Sequence, residues 1–249
     1  MLIKMPVFKT KNENFFKKFS SEMAYVLGFF AADGNLTLGK RGNHYIEFNS
    51  CDRDIIEKIR NVMECNHKIS GVKKHDSHKM CYRIQVGSKD IFRDLINLGF
   101  VPNKSKRLAY PKVPNQYFPD FVRGYFDGDG HVTVGIYKRK NRPSMQKVLF
   151  SGFTSGTKSF LQTLKNDLTK LEIIKGGTLY YQKGYRLTFS IYDSLSLYAF
   201  LYKNINNGLY LARKKKVFER YSNGPVEQPG VFVPLSRGRS RVQIPSGPH

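Results

Sequence analysis

Apolar and polar positions along this chain follow two rhythms. Four segments alternate strictly, as a strand with one covered face does. Ile46 and Phe48 oppose Glu47 and Asn49; Ile84 and Val86 oppose Arg83 and Gln85. Val132, Val134 and Ile136 oppose Thr133 and Tyr137, and Leu187, Phe189 and Ile191 oppose Arg186, Thr188 and Ser190. Between them lie helical patterns at about 52–63 and 157–171. Two further segments, VLGFFAADGNL at 26–36 and VRGYFDGDGHV at 122–132, are apolar-aromatic runs ending in Asp-Gly.

The two runs begin a duplicated plan. Asp33 and Asp129 are 96 residues apart, and each run is followed by an extended stretch (44–50; 147–153), a helical pattern and a second alternating strand (82–92; 185–195). Self-similarity on this scale predicts two copies of one supersecondary unit. Each copy reads as helix, two strands, helix, two strands, helix, an αββαββα-like α/β repeat. The predicted organisation is a basic arm or short leading helix over 1–20, a first repeat over 21–115, a second over 116–222, and a disordered tail over 223–249.

Small residues recur at four-residue spacing in both motifs: Ala24, Gly28 and Ala32 in the first, Gly124 and Gly128 in the second. This spacing stacks them on one helical face and lets two backbones approach closely. The motif helices are therefore predicted to pair, with Gly34 and Gly130 terminating them as C-cap glycines. Pairing brings Asp33 and Asp129 together, and two adjacent carboxylates call for a cation between them. A hard divalent ion such as Mg²⁺ suits such a carboxylate pair.

VLGFFAADG and VRGYFDGDG resemble the two signature motifs of LAGLIDADG homing endonucleases, and the duplicated plan covers about residues 21–222. The resemblance implies a saddle of antiparallel sheets along the DNA major groove, with paired motif helices at the centre. It assigns the metal ions, Mg²⁺ or Mn²⁺, to Asp33 and Asp129, with the carbonyls of Ala32 and Gly128 contributing. Ala31 departs from the family pattern, which often has an acid where the second motif has Asp127. Catalytic lysines of the family fall in segments resembling 98–114 and 209–218, which places that role on Lys104 and Lys214. Lys106, Arg213 and Lys215 fit equally well by position.

Charge points the same way. Forty-two Lys plus Arg against 19 Asp plus Glu give +23, the balance of a protein with a polyanionic partner. The polar strand positions Arg83, Gln85, Thr133, Tyr137, Arg186, Thr188 and Ser190, with the basic run Lys138, Arg139 and Lys140, are candidate DNA contacts. The expected activity is metal-dependent double-strand cleavage of a long asymmetric DNA target by a monomer with an internal pseudo-dimer. An intron RNA maturase or a non-catalytic regulator on the same fold is the alternative.

Three cysteines, Cys51, Cys65 and Cys81, all in one half, argue against a disulfide framework and for a reducing, intracellular setting, cytoplasmic or organellar. No apolar run approaches membrane-spanning length, so no membrane association is expected. Met1 and the Pro248-His249 terminus lack the residues of intein splicing, which suggests a free-standing or intron-encoded protein. In the tail, Val242-Gln243-Ile244-Pro245 can be encoded by GTT CAA ATC CCN, a sequence like a tRNA T-arm. The expectation is that the reading frame there runs into a tRNA gene.

Overall fold

The computed structural model describes residues 9–39, 41–73, 79–102, 107–138 and 145–223. Arg139, Lys140, Lys104, Lys106 and the tail from residue 224 lie outside them. The first repeat runs α1 (Ser21–Asp33), β1 (Gly34–Leu38), β2 (His44–Ser50), α2 (Arg53–Val62), β3 (Ile69–Val72), β4 (Cys81–Gly87) and α3 (Lys89–Asn97). The second repeats that order as α4 (Phe118–Asp129), β5 (Gly130–Lys138), β6 (Met145–Ser155), α5 (Lys158–Lys170), β7 (Thr178–Tyr181), β8 (Tyr185–Phe189) and α6 (Ile191–Tyr202), and adds α7 (Ala212–Asn223). Each repeat folds its strands into one antiparallel sheet, ordered β1-β2-β4-β3 and β5-β6-β8-β7.

Helices α1 and α4 are the centre of the molecule. Every residue from Met23 to Ala31 is buried, as is every residue from Phe118 to Asp127 except Pro119. A helix apolar all round belongs in a core rather than at a surface. Ser20 starts α1 by accepting from the Met23 amide at 3.1 Å, while α4 begins with a proline in its first turn, where no intrahelical amide is required. Phe30 packs its edge on Phe48 and Phe100, and its repeat-2 counterpart Phe126 packs on Phe153 and Phe218. Each motif helix is thus anchored on its own sheet by a phenylalanine whose burial stabilises by about 1.5–3 kcal/mol.

The two repeats are also stapled by trailing segments that cross over. Leu108 donates its amide to Thr157 Oγ1 at 3.2 Å, and Thr157 is the N-cap of α5 in the other repeat. Arg213, at the start of α7, makes a forked contact at 2.7–2.9 Å with Asp52, the N-cap of α2 in the first repeat. Beside it, Lys58 of α2 donates to the Tyr210 carbonyl at 3.3 Å. In each case the segment leaving one repeat docks on the same corner of its neighbour.

Several expectations change. Gly34 and Gly130 do end the motif helices as C-cap residues, their amides bonding to the Phe30 and Phe126 carbonyls, but with ordinary extended backbones (φ −86° and −81°) that lead directly into β1 and β5. Glycine is needed there for space: a Cβ would lie 2.1 Å from the Phe30 ring at Gly34 and 2.4 Å from the Phe126 ring at Gly130. The last alternating strand stops at Phe189; Ser190 is the N-cap residue of α6 and Ile191 its first residue. Residues 9–19 pack onto the body of the first repeat. Phe15 and Phe16 enter the core, and the Asn12 amide bonds to the Met63 carbonyl.

The structure also pairs Cys51 with Cys81 as a disulfide, a single link and not a framework, and leaves Cys65 free and buried. The strand register explains the meeting. Ser50 pairs with Tyr82, so the next residues out on β2 and β4 face each other.

Candidate functional site at the paired helix ends

The contact between α1 and α4 is built on backbone. A Cβ placed on Gly28 would fall 2.0 Å from the Phe121 carbonyl oxygen, and one on Gly124 would fall 2.0 Å from the Tyr25 carbonyl oxygen. No side chain fits at either point. Ala24 is fully buried one turn before Gly28. One turn after Gly124, a Cβ on Gly128 would lie 2.3 Å from Ala32 Cβ and 3.3 Å from Asp33 Oδ2. The carboxylate of α1 therefore lies over the last turn of α4.

Lys214, from α7, reaches the same place from beneath. It is buried, and its ammonium donates to the carbonyls of Phe126 (2.6 Å), Asp127 (2.8 Å), Gly130 (2.7 Å) and, at 3.4 Å, Gly128. The carbonyls of Asp127 and Gly128 belong to the last turn of α4, that of Phe126 also accepts from the Gly130 amide, and that of Gly130 opens β5; a cation there meets the negative end of the helix dipole. Burial lowers its pKa to about 8; Asp127 opposes that shift most strongly, and Asp33 and Asp129 add to the opposition. Of the lysine candidates in 209–218, Lys214 is the one brought to the helix ends. Lys215 instead lies over Tyr210 and beside Glu219, and Arg213 is committed to Asp52.

Asp127 faces away from the two terminal acids, into the core. Its Oδ2 accepts from Tyr25 of α1 at 2.7 Å and from the Leu211 amide at 2.9 Å, while Oδ1 has no hydrogen-bond partner among the described residues. Burial raises its pKa, with Lys214 the main opposing influence. Next to it, Arg123 is the largest fully buried side chain; it donates to the carbonyls of Leu201 and Leu209 and pairs with Asp120. The apolar pattern alone did not mark Arg123 as buried; the signal that could have found it is its repeat-1 counterpart Leu27, also buried.

The strand candidates sit on the outer faces of the two sheets. In sheet 1, Gln85 is exposed and Arg83 half exposed. In sheet 2, Thr133 and Tyr137 are exposed and Arg186 and Thr188 half-buried on the outer face, while Lys138, exposed at the end of β5, alternates to the opposite face with Val134 and Ile136. Ser190 is exposed but belongs to the α6 cap. Two outer-face residues were absent from the candidates. Glu47 lies between Arg83 and Gln85, accepting from Gln85 Nε2 at 2.5 Å. His131, directly after the second motif, is held neutral: burial, then Arg186 and Lys214, bring its pKa down to about 4.

Residues 20–98 match the family model of the LAGLIDADG-like domain. The chain superposes on the LAGLIDADG meganuclease I-AabMI bound to uncleaved DNA with a TM-score of 0.57 at 16% identity, covering 82% of this chain and 89% of that one. I-SmaMI bound to an uncleaved DNA target in the presence of calcium ions gives 0.56 at 11% identity, over 82% and 90%. Among curated proteins, MJ0398 of Methanocaldococcus jannaschii is 27% identical over 118 residues, 46% of this chain and 40% of that protein. The probable translation initiation factor IF-2 of the same organism is 22% identical over 203 residues, 78% of this chain and 16% of its own length. The chain thus spans less than half the length of these curated relatives. No helix among the described residues is long and apolar enough to cross a membrane.

Proposed function

We propose, for a chain whose first repeat is a LAGLIDADG-like domain and whose paired repeats have the meganuclease fold, that it is a site-specific DNA endonuclease cutting both strands of a long asymmetric target. The observation that carries this reading is the meeting of the α1 end with Gly128: a Cβ on residue 128 would overlap Ala32 Cβ at 2.3 Å and crowd Asp33 Oδ2 at 3.3 Å. A cradle that a Cβ would fill, walled by two carboxylates and by helix C-terminal carbonyls, offers hard oxygen donors. Asp33 and Asp129 would hold Mg²⁺ or Mn²⁺ there, with the Ala32 carbonyl and, where Lys214 leaves a lone pair, the Gly128 carbonyl as further donors.

When bound, a divalent cation supplies water activation and neutralises charge on the phosphate. The chain's own residues do the rest. Backbone contact at Gly28 and Gly124 sets the spacing of the two acids, so that each serves one strand of the duplex. The Lys214 ammonium, locked on its carbonyls, offsets the negative charge gathered at the helix ends and holds them in place. The catalytic role expected of it is in this reading one of fixed charge, and Lys104 is its proposed counterpart in the first repeat. The two outer sheet faces contact the half-sites through Arg83, Gln85, Thr133, Tyr137, Arg186 and Thr188, with Lys138 at the exposed end of β5 beside them. The reading is tested with a supercoiled plasmid library carrying randomised sites, incubated with Mg²⁺ or with EDTA. Linear product from a discrete subset of plasmids, with Mg²⁺ only, is the expected result. Sequence-selective binding without any linear product would overturn cleavage and leave a regulator.

A further inference from the structure

Among the described residues, Glu47 is the one acidic residue in the eight strands of a protein carrying +23. It occupies a central position, on β2 between β1 and β4, in a cross-strand row with Asn35 and Gln85. Its neighbours Ile46 and Phe48 are buried, so Glu47 points to the outer face. Gln85 Nε2 bonds to its Oε1 at 2.5 Å, and Arg83 Nη1 approaches the same atom at 3.8 Å. Oε2 takes no hydrogen bond among the described residues. The Glu47 side chain is 13% exposed against 43% for Arg83, so the acid lies on the floor of the face while the guanidinium stands above it.

A carboxylate at the centre of a DNA-facing sheet repels phosphate, so what it meets there is a hydrogen-bond donor. In the major groove the donors are the exocyclic amines, and a carboxylate accepts from that of cytosine, as arginine pairs with guanine. We propose that Glu47 is a specificity-determining residue that accepts from the amino group of one cytosine through Oε2, with Oε1 holding Gln85 and Arg83 beside it. The inference rests on the DNA-binding reading above and adds a base-level assignment to it. The second repeat cannot do the same. The equivalent row there is His131, Gly152 and Thr188, and a Cβ on Gly152 would meet the Leu187 carbonyl at 2.2 Å and His131 Cε1 at 2.8 Å. The cytosine contact therefore belongs to one half-site only.

The test is selection from a randomised duplex pool with the wild-type protein, Glu47→Ala and Glu47→Gln, followed by affinity measurements on the selected duplex and its single-pair variants. Wild type should prefer cytosine at one pair by about tenfold or more. Glu47→Ala should reduce that preference to within about twofold, leave the other half-site unchanged, and bind unselected DNA more tightly through loss of a negative charge. Glu47→Gln should move the preference at the same pair toward adenine, the base glutamine recognises. Preferences unchanged at every pair, or altered evenly along the site, in variants that melt with the wild type would overturn the assignment. A wild-type protein that selects no sequence would overturn the DNA-binding reading itself, and this one with it.

Discussion

The two flanks of the motif-helix pair are built from different chemistry. On the first-repeat side, Leu27, Ala31 and, across the contact, Phe121 form an apolar packing. On the second-repeat side the same three places hold Arg123, Asp127 and Tyr25, joined into a buried polar network with Asp120, Leu211 and Lys214. One backbone geometry is therefore supported in two ways. What the flanks share, Gly28 with Gly124 and Asp33 with Asp129, is what the proposed chemistry needs twice. What differs is the means of holding it.

The comparison can be broken most severely at the shared glycines. Replacing Gly28 or Gly124 with Leu should cost more than ~3 kcal/mol and lower the melting temperature by similar amounts, because each clashes with a carbonyl oxygen 2.0 Å from its Cβ. A large drop for one and not the other, by calorimetry, would show that the contact is not symmetric. Asp33→Asn and Asp129→Asn should each abolish double-strand cleavage while DNA affinity stays within about tenfold. A gel assay showing near wild-type linear product from either would remove that acid from the site.

The unshared flank should respond unequally. Arg123→Leu installs the first-repeat residue but strands Asp120 and two buried carbonyls, and should destabilise by ~3–5 kcal/mol in urea unfolding. A neutral outcome would mean that the polar network is interchangeable with apolar packing. The smallest effects belong to the crossed staples. Thr157→Ala and Asp52→Ala should each cost ~1 kcal/mol. Values that agree would make the staples equivalent, and a clearly larger loss for Asp52 would show that the forked Arg213 contact is the stronger.

Much of the fold was legible because its signals are local. Alternation at 44–50 and 82–86, and the matched runs ending at Asp33 and Asp129, need only neighbouring residues to be read. The illegible parts depend on residues far apart in the chain. Lys214 could be placed under Phe126 and Gly130 only once α7 had packed beside α4. Arg123 looks like a surface cation until the carbonyls of Leu201 and Leu209 close over it. Glu47 passed as one polar residue among several until the β2–β4 register set Gln85 against it. Ser190 was misread for a local reason: a serine can continue a strand or begin a helix, and here it begins α6.

The crossed staples also bear on the order in which the molecule comes together during synthesis. Asp52 waits for a partner 161 residues further along the chain, whereas Thr157 meets Leu108 across only 49. As the chain emerges, the first repeat can assemble its sheet early, yet the corner at the start of α2 stays open until the last helix arrives. The same helix delivers Lys214 to the ends of the motif pair. Closure of the first repeat and charge balance at the proposed cutting centre are therefore one late event, so a half-made chain would hold the sheet proposed to face DNA without the finished centre.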